Sequence, residues 1–195
     1  MITKVNDTDL RVLSLFTRGY AGEYYIREVQ KLLVVSSRTA FITLAKLETA
    51  GILTSSTKGK IKVYSIKKSI FSRDLFVLTE QYKKIRFIEE HPLIAELLEK
   101  IDASVEGFVI AFGSYVKGTQ KEDSDLDLLI IGTYNKEHIA SISITYGLIV
   151  SIKHYPLSVF EKELHTDILL KEIVHSHVVL RDAEGFVRRV MPWIA

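Results

Sequence analysis

The segment FVIAFGSYVKGTQKEDSDLDLLII, residues 108–131, decides the fold expected for the C-terminal half of the chain. Its two apolar runs, Phe108 to Phe112 and Leu126 to Ile131, have the length and composition of buried strands. Gly113-Ser114 between them predicts a tight turn that leads into one or two helical turns. The segment therefore predicts two strands of a sheet, separated by a turn and a polar loop.

Two aspartates stand at the entrance of the second strand. Because residues i and i+2 of a strand face the same side, Asp125 and Asp127 are expected to direct their carboxylates to one point at the rim of the sheet. Like charges at that spacing repel, and a hard divalent cation, Mg²⁺ or Mn²⁺, relieves the repulsion and is shared by a bound nucleoside triphosphate. Gly113 allows a ligand to approach the backbone, and Ser114 offers a hydroxyl and helix N–H groups to phosphate.

The same residues have a plainer interpretation. Gly113-Ser114 is also an ordinary turn, and Ser124-Asp125 is also an Asx turn that enters a strand and leaves Asp127 exposed. The functional interpretation rests on the ordered combination of strand, GS, ten residues, DxD and strand. It makes Gly113, Ser114 and Ser124 the candidate nucleotide-binding residues.

This combination resembles the signature of the minimal nucleotidyltransferase family of the DNA polymerase β-like superfamily, over about residues 93–180. By that resemblance, Gly113 and Ser114 would hold the triphosphate of a nucleotide such as ATP, and Asp125 and Asp127 would be the catalytic, metal-binding residues. The family transfers a nucleoside monophosphate to a hydroxyl and releases pyrophosphate. Its acceptor is a protein side chain, as in the antitoxins that modify a HEPN-type toxin partner, or a small molecule.

One position departs from the family pattern. The resemblance implies a third carboxylate on the next strand, GLIVSIK, where the hydrophobic alignment places Ser151. A serine is neutral and cannot replace a carboxylate as base or metal ligand. His175 and His177 lie at i and i+2 with no carboxylate nearby in the sequence to complete a metal site, whereas His154 follows this strand and could lie near the site. A carboxylate from elsewhere, such as Asp167 or one from a second subunit, could also fill the gap.

The charge of the 195-residue chain is divided unevenly. Residues 1–92 contain 16 Lys/Arg and 9 Asp/Glu, a formal charge of +7, whereas residues 93–195 contain 10 and 15, a charge of −5. The basic half is expected to meet a polyanion and the acidic half to collect metal-binding carboxylates, although chance unevenness gives the same numbers. Three parts are predicted: domains at 1–70 and 93–195, with a helical linker at 71–92.

The basic half has the pattern of three helices and a hairpin. The first predicted helix is capped by Asp7 or Thr8 and ended by Gly19, and the second runs from Tyr24 to Leu33. The third is capped by Ser36 or Ser37 and continues through the apolar residues Phe41, Leu44 and Leu47 to Ala50, where Gly51 ends it. Two strands follow, Ile52 to Ser55 and Ile61 to Ile66. The segments YYIREVQKLL, VSSRTAFITLAKLETAGIL and TSSTKGKIKVYSI resemble winged helix-turn-helix regulators of the MarR-like and ArsR-like kind. The expected fold class is α/β in the broad α+β sense, a winged helix joined by a helix to a nucleotidyltransferase domain with a small mixed sheet.

That resemblance implies double-stranded DNA as a partner. The third helix would enter the major groove and the hairpin would contact the backbone. The residues expected at the DNA are Ser37, Arg38, Thr39, Thr43 and Lys46 on the helix and Lys58, Lys60 and Lys62 on the hairpin. Two alternatives remain open, a merely solvated polar face and a protein-docking module.

The linker helix carries an apolar stripe, Leu75, Leu78, Tyr82 and Ile85. It predicts either the seam of a homodimer that reads paired half-sites or a face packed against its own chain.

Several other classes are disfavoured. The chain has no cysteine, which excludes disulfides and thiolate chemistry, and it has neither a GxxxxGK[ST] nor a GxSxG motif. No apolar run approaches the roughly 20 residues that span a bilayer, and the polar start MITKVNDTDLR is unlike a signal peptide, which predicts a cytoplasmic protein. The sequence thus leaves two leading hypotheses, an active transferase and a transcriptional regulator whose transferase fold senses nucleotide without turnover.

Overall fold

The computed structural model describes residues 4–191, so the ends of the predicted domains at residues 1–3 and 192–195 lie outside the described residues. The chain forms two compact units. One extends from residue 4 to Thr79 and includes Val190 and Met191, and the other is Glu80–Arg189. The division falls inside a single helix, α4 (Ile70–Glu90), which occupies most of the predicted linker segment.

The N-terminal unit contains three helices followed by an antiparallel hairpin, in the predicted order. They are α1 (Asp7–Phe16), α2 (Ile26–Leu33), α3 (Ser37–Thr49), β1 (Leu53–Lys58) and β2 (Ile61–Ile66). The first helix is capped by Asn6 and not by Asp7 or Thr8, because Asn6 and Asp9 exchange backbone to side-chain hydrogen bonds of 3.0 and 2.8 Å in a capping box. The second begins at Ile26 because Tyr24 pairs with Tyr64 in a short bridge beside the hairpin.

Helix α3 differs from the prediction in its phase. Its buried face consists of Ala40, Thr43, Leu44 and Leu47, whereas Phe41 is 53% exposed. Ala40, Leu44 and Leu47 follow the spacing i, i+4, i+7 of one helix face, and that face excludes Phe41.

The apolar stripe predicted on α4 is buried at one position and exposed at others. Leu75 is buried, while Leu78 and Ile85 are 46% and 51% exposed. The four predicted positions are therefore not one free surface. Among residues 4–191, no helix combines the length and the apolar character needed to cross a membrane.

The C-terminal unit is a mixed α+β fold with a small mixed sheet, as predicted. Its elements after α4 are α5 (Pro92–Ile101), a 3₁₀ turn (Asp102–Ser104), β3 (Val105–Phe112), α6 (Ser114–Lys117), β4 (Leu126–Tyr134), α7 (Lys136–Tyr146), β5 (Val150–Tyr155), α8 (Leu157–Glu163), α9 (Ile168–His175), β6 (Val178–Arg181) and α10 (Ala183–Val190). The strand order is β5-β4-β3-β6, in which β3 is antiparallel to β4 and β6, and β5 is parallel to β4.

Strands β3 and β4 are buried on both faces. Val109 and Leu128 belong to a core with Ile94, Leu97 and Ile139. On β3, Phe108 meets Phe160 and Phe186 at ring-centroid distances of 5.3 and 5.9 Å. Burial on both faces explains why these strands are continuous apolar runs in the sequence, and it fixes the positions of the residues where the strands end.

A buried polar cluster connects the C-terminal half of α4 to the residue before β6. Glu80 is fully buried and His177 is 4% exposed. The ammonium of Lys83 forms an ion pair of 2.8 Å with Oε2 of Glu80 and lies 3.2 Å from Nε2 of His177. The same Nε2 lies 3.1 Å from Oε1 of Glu80, and the Nδ1–H of His177 donates to the Val174 carbonyl at 2.8 Å. With a neutral imidazole the cluster has no net charge, which is the state that burial favours.

The pKa shifts of His177 and Glu80 agree with a neutral imidazole beside an ionised carboxylate. Burial, reinforced by Lys83, lowers the pKa of His177, and the attraction of Glu80 opposes this only in part. Burial alone would raise the pKa of Glu80, but Lys83 and His177 more than offset it and lower the pKa to about 2. Both shifts mean that the unfolded chain takes up protons before the folded chain does.

We expect Glu80→Gln to lower the free energy of unfolding by about 3 kcal/mol, because it leaves Lys83 without its buried partner. Urea unfolding of the full chain measures this. Glu90→Gln on the same helix is the matched control, since Glu90 is 65% exposed in a 3.7 Å pair with Arg86, and its change should stay within about 0.5 kcal/mol. Equal losses in the two variants would contradict the assigned role of the buried cluster.

The free energy of unfolding should also decrease in two stages as the pH is lowered. The contribution of neutral His177 is complete above its ordinary pKa of 6.5 and is lost as the pH falls below that value. The contribution of ionised Glu80 is complete above 4.5 and is lost as the pH falls toward about 2. Urea midpoints at about pH 7 and about pH 5 test the first stage, and identical midpoints would show that His177 is not held neutral.

Candidate active site

The closest approach in the candidate site is between Gly113 and Asp127. The register of β3 and β4 pairs Phe112 with Asp127, which places the next residue, Gly113, against the aspartate side chain. A Cβ atom at position 113 would lie 3.0 Å from Cγ of Asp127 and closer still to its Oδ2. Gly113 also has φ +76° and ψ −148°, a conformation open essentially to glycine alone. Glycine is thus required here both by the backbone and by the carboxylate.

Ser114 follows as the first residue of α6. The first bonds of this short helix are Lys117 N–H to the Gly113 carbonyl at 3.1 Å and Thr119 N–H to the Ser114 carbonyl at 3.0 Å. The N–H groups at the start of a helix have no partner within it. The turn therefore presents donors and a hydroxyl at the same strand end as Asp127.

Both aspartates lie where β4 begins. Leu126 and Leu128 are completely buried, whereas Asp127 is partly buried and Asp125, the residue before the strand, is exposed. That the two carboxylates meet at one point remains a prediction. Two carboxylates are a suitable donor set for Mg²⁺ or Mn²⁺, since Mg²⁺ prefers oxygen ligands and usually keeps several waters. The residues present therefore fit such an ion.

Ser124 has a structural role in the loop before β4. Its hydroxyl accepts a hydrogen bond of 2.8 Å from Lys121 N–H, and its own N–H donates to the Lys121 carbonyl at 3.1 Å. These bonds close the loop that presents Asp125. Ser124 shapes the site, and nucleotide contact by its side chain remains a prediction.

The neighbour of Asp127 on β5 is Ser151. The parallel register pairs the two residues directly, so the position expected for a third carboxylate carries a hydroxyl. The Nε2–H of His154 donates to the Gly132 carbonyl at 2.7 Å, and the ring packs on Tyr134, further along the sheet. Asp167 caps α9 through a 2.9 Å bond from Leu170 N–H. Within residues 4–191, no group of three or more acidic or histidine side chains is arranged to hold a metal.

Sequence reasoning missed Lys117. It lines a cavity of about 130 Å³ together with Phe112, Gly113 and residues of α9. Its ammonium lies 3.1 Å from Oε1 of Glu172, and both side chains are about half exposed. An exposed pair of this kind contributes little to stability, so an anion can replace Glu172 at small cost. The signal in the sequence was a cation three residues after Ser114, on the same side of a helical turn.

The predicted DNA-binding residues of α3 fall into two groups. Ser37 and Arg38 are exposed, and Thr39 is bonded to the helix cap through its N–H to Oγ of Ser36 at 3.0 Å. Thr43 is buried at 6% exposure, and Lys46 forms an ion pair with buried Asp9. Thr43 is therefore part of the interior, which corrects the prediction that it faces DNA. Lys46 is 32% exposed, and its contact with DNA remains a prediction.

On the hairpin, Lys58, Lys60 and Lys62 are all exposed. Lys58 pairs with Glu23, and Lys62 pairs with Glu48 at 2.7 Å. Hydrogen bonds from Lys62 and Ser55 lower the pKa of Glu48, so this pair is charged at neutral pH. Lys60 has no such carboxylate partner among the described residues.

Comparison with known families agrees with this geometry. Residues 93–188 match the family model of a nucleotidyltransferase domain. The match includes Gly113, Ser114, both aspartates and Ser151, and it confirms the predicted family resemblance for this segment. It does not extend to the N-terminal unit, for which the winged-helix assignment remains a prediction. No curated protein and no solved structure matches the chain.

We expect Gly113→Ala to lower the free energy of unfolding by about 2 to 3 kcal/mol, because the new methyl group meets the Asp127 carboxylate in a strained backbone conformation. Gly118→Ala is the matched control. Gly118 also has a positive φ, +66°, but a Cβ atom at that position would meet no other group within 4 Å, so its loss should be about 1 kcal/mol. Urea unfolding compares them, and equal losses would show that Asp127 does not crowd position 113.

Proposed function

We propose that the C-terminal unit binds a nucleoside triphosphate with Mg²⁺ or Mn²⁺ and transfers the nucleoside monophosphate to a hydroxyl acceptor, releasing pyrophosphate. The observation that carries the proposal is the position of Asp127, whose carboxylate fills the space that a side chain at Gly113 would need. This arrangement places a carboxylate that can bind metal directly beside the turn at Ser114, whose N–H groups and hydroxyl can donate to phosphate. The match of residues 93–188 to a nucleotidyltransferase domain supports the same class of reaction.

Each side chain then has a distinct task. Asp125 and Asp127 hold the metal ion, which when bound neutralises phosphate charge and favours displacement at phosphorus. Gly113 and Ser114 hold the triphosphate through N–H groups and the Ser114 hydroxyl. Lys117 exchanges Glu172 for a phosphate oxygen, a step that its exposed ion pair allows. The acceptor we propose first is a hydroxyl on a partner protein such as a HEPN-type toxin, and a small molecule is the alternative.

A second candidate function is favoured by Ser151. The residue paired with Asp127 cannot act as a general base or as a charged ligand. In this alternative the unit senses nucleotide without turnover, and the protein is a transcriptional regulator. A sensor must bind its nucleotide with different affinity in two states of the protein, so DNA affinity would change with nucleotide.

For the N-terminal unit we propose double-stranded DNA as the partner and a winged helix-turn-helix as the fold. The +7 charge of residues 1–92 and the exposed cations Arg38 and Lys60 support this. Two copies of the chain would read paired half-sites, with exposed Leu78 and Ile85 of α4 as the apolar contact of the homodimer. Affinity that falls steeply with salt concentration would support DNA binding, and absence of affinity would favour a protein-docking unit.

We expect Asp125→Asn/Asp127→Asn to abolish Mg²⁺-dependent ATP or GTP binding, because the pair supplies the acidic ligands of the site. Calorimetry measures binding, and a coupled assay measures pyrophosphate release. Asp123→Asn is the matched control, since Asp123 is an exposed aspartate of the same loop, and it should leave both signals unchanged. Nucleotide binding by the double variant equal to wild type would refute the proposed site.

Ser151→Asp separates the two candidate functions. If the unit is a sensor that lacks its third carboxylate, wild type binds nucleotide without releasing pyrophosphate, and Ser151→Asp gains release. If wild type itself releases pyrophosphate, and the double variant does not, the unit is an active transferase and the sensor proposal is excluded.

A further inference from the structure

The outward face of α3 carries two large apolar side chains that the core does not use. Phe41 and Ile42 are 53% and 52% exposed, while the opposite face is held by Ala40, Leu44 and Leu47, each completely buried. Exposed single apolar residues are ordinary, but two adjacent ones at the centre of a helix form a surface that water solvates poorly. The core does not require them, so their role lies outside the unit.

Exposed cations lie on α3 itself and on the preceding helix, α2. Arg38 precedes Phe41 and Ile42 by three and four residues and is exposed on the same side of α3. On α2, Arg27 and Lys31 line an open groove of about 580 Å³ with Val34 and Val35 of the turn into α3. Among the described residues, none of these three cations has a carboxylate partner.

The nearby carboxylates are already engaged. Glu28 accepts the N–H of Tyr25 at 3.0 Å in the cap of α2, and Glu48 holds Lys62 at the other end of α3. A partner that binds α2 and α3 together therefore meets unpaired positive charge on both helices and a small apolar group on α3. That combination favours a polyanion that also displays apolar groups, and it disfavours an apolar protein helix, which would leave the cations unpaired.

We propose that Phe41 and Ile42 recognise thymine methyl groups in the major groove of duplex DNA, with Arg38 on an adjacent guanine edge and with Arg27 and Lys31 on phosphates. The inference rests on the proposed DNA binding of the N-terminal unit. The thymine methyl is the apolar group that base edges display in the major groove, whereas the other groups there are hydrogen-bond donors and acceptors. Phe41 and Ile42 have no side-chain polar atoms, so methyl contact is the base recognition open to them.

The test begins with a preferred duplex, selected by the full chain from a randomised DNA library. Its affinity is then measured with each thymine replaced in turn by deoxyuridine, which removes the methyl and keeps the hydrogen-bonding groups. At a contacted position we expect binding about fourfold weaker per methyl removed, the value of one buried carbon group. In Phe41→Ala or Ile42→Ala the same replacement should have almost no further effect.

Phe71→Ala is the matched control, because Phe71 is also a half-exposed phenylalanine, at 47%, but lies on α4. It should retain the full deoxyuridine effect, and thermal unfolding verifies that all three variants fold. Salt-dependent DNA binding that is indifferent to deoxyuridine would overturn methyl recognition and leave DNA binding intact. Absence of binding to any duplex would overturn both, and would leave the pair as a protein-docking surface.

Discussion

The close approach of Gly113 to the Asp127 carboxylate is the constraint on which the candidate site depends. It requires the antiparallel register that pairs Phe112 with Asp127, and it requires the absence of a side chain at 113. The register in turn is held by strands that are buried on both faces, where a slip of one residue would move each side chain to the opposite layer and disrupt the packing of both. The same strand register therefore determines both the packing of the core and the geometry of the site at the rim of the sheet.

The charge of the candidate site is set by the side chains at the end of strands β3 and β4. The C-terminal unit directs Asp125 and Asp127 to the rim and leaves the cation Lys117 in a weak exposed pair beside them. With Ser151 next to Asp127, the site holds two negative charges where a third carboxylate would give three. A smaller ligand charge lowers the affinity for a divalent ion, and so a nucleotide that brings its own phosphate ligands gains importance in retaining that ion.

Much of this architecture was predictable, because its signals are local. The strands of the C-terminal unit, the alternation of the aspartates and the alignment of Ser151 all follow from contiguous patterns of apolar and polar residues. The buried face of α3 was not predictable from the sequence. Phe41 and Ala40 both lie at a helical spacing from Leu44, and only packing selects Ala40 for the interior. The ion pair of Lys46 could not be predicted, because Asp9 lies 37 residues away. The cluster of Glu80 and His177, 97 residues apart, left no local trace for the same reason.

The loop between Gly113 and Asp125 also influences how the protein folds. Both ends of the site lie on consecutive strands, so a short connection brings them together and closing it costs little chain entropy. Pairing of β3 with β4 is therefore a low-contact-order event, expected early in folding compared with the docking of β6 from far along the chain. The groups proposed to bind metal and phosphate would then come together before β6 docks, and a bound nucleotide would stabilise the nucleus of the domain as well as its native state.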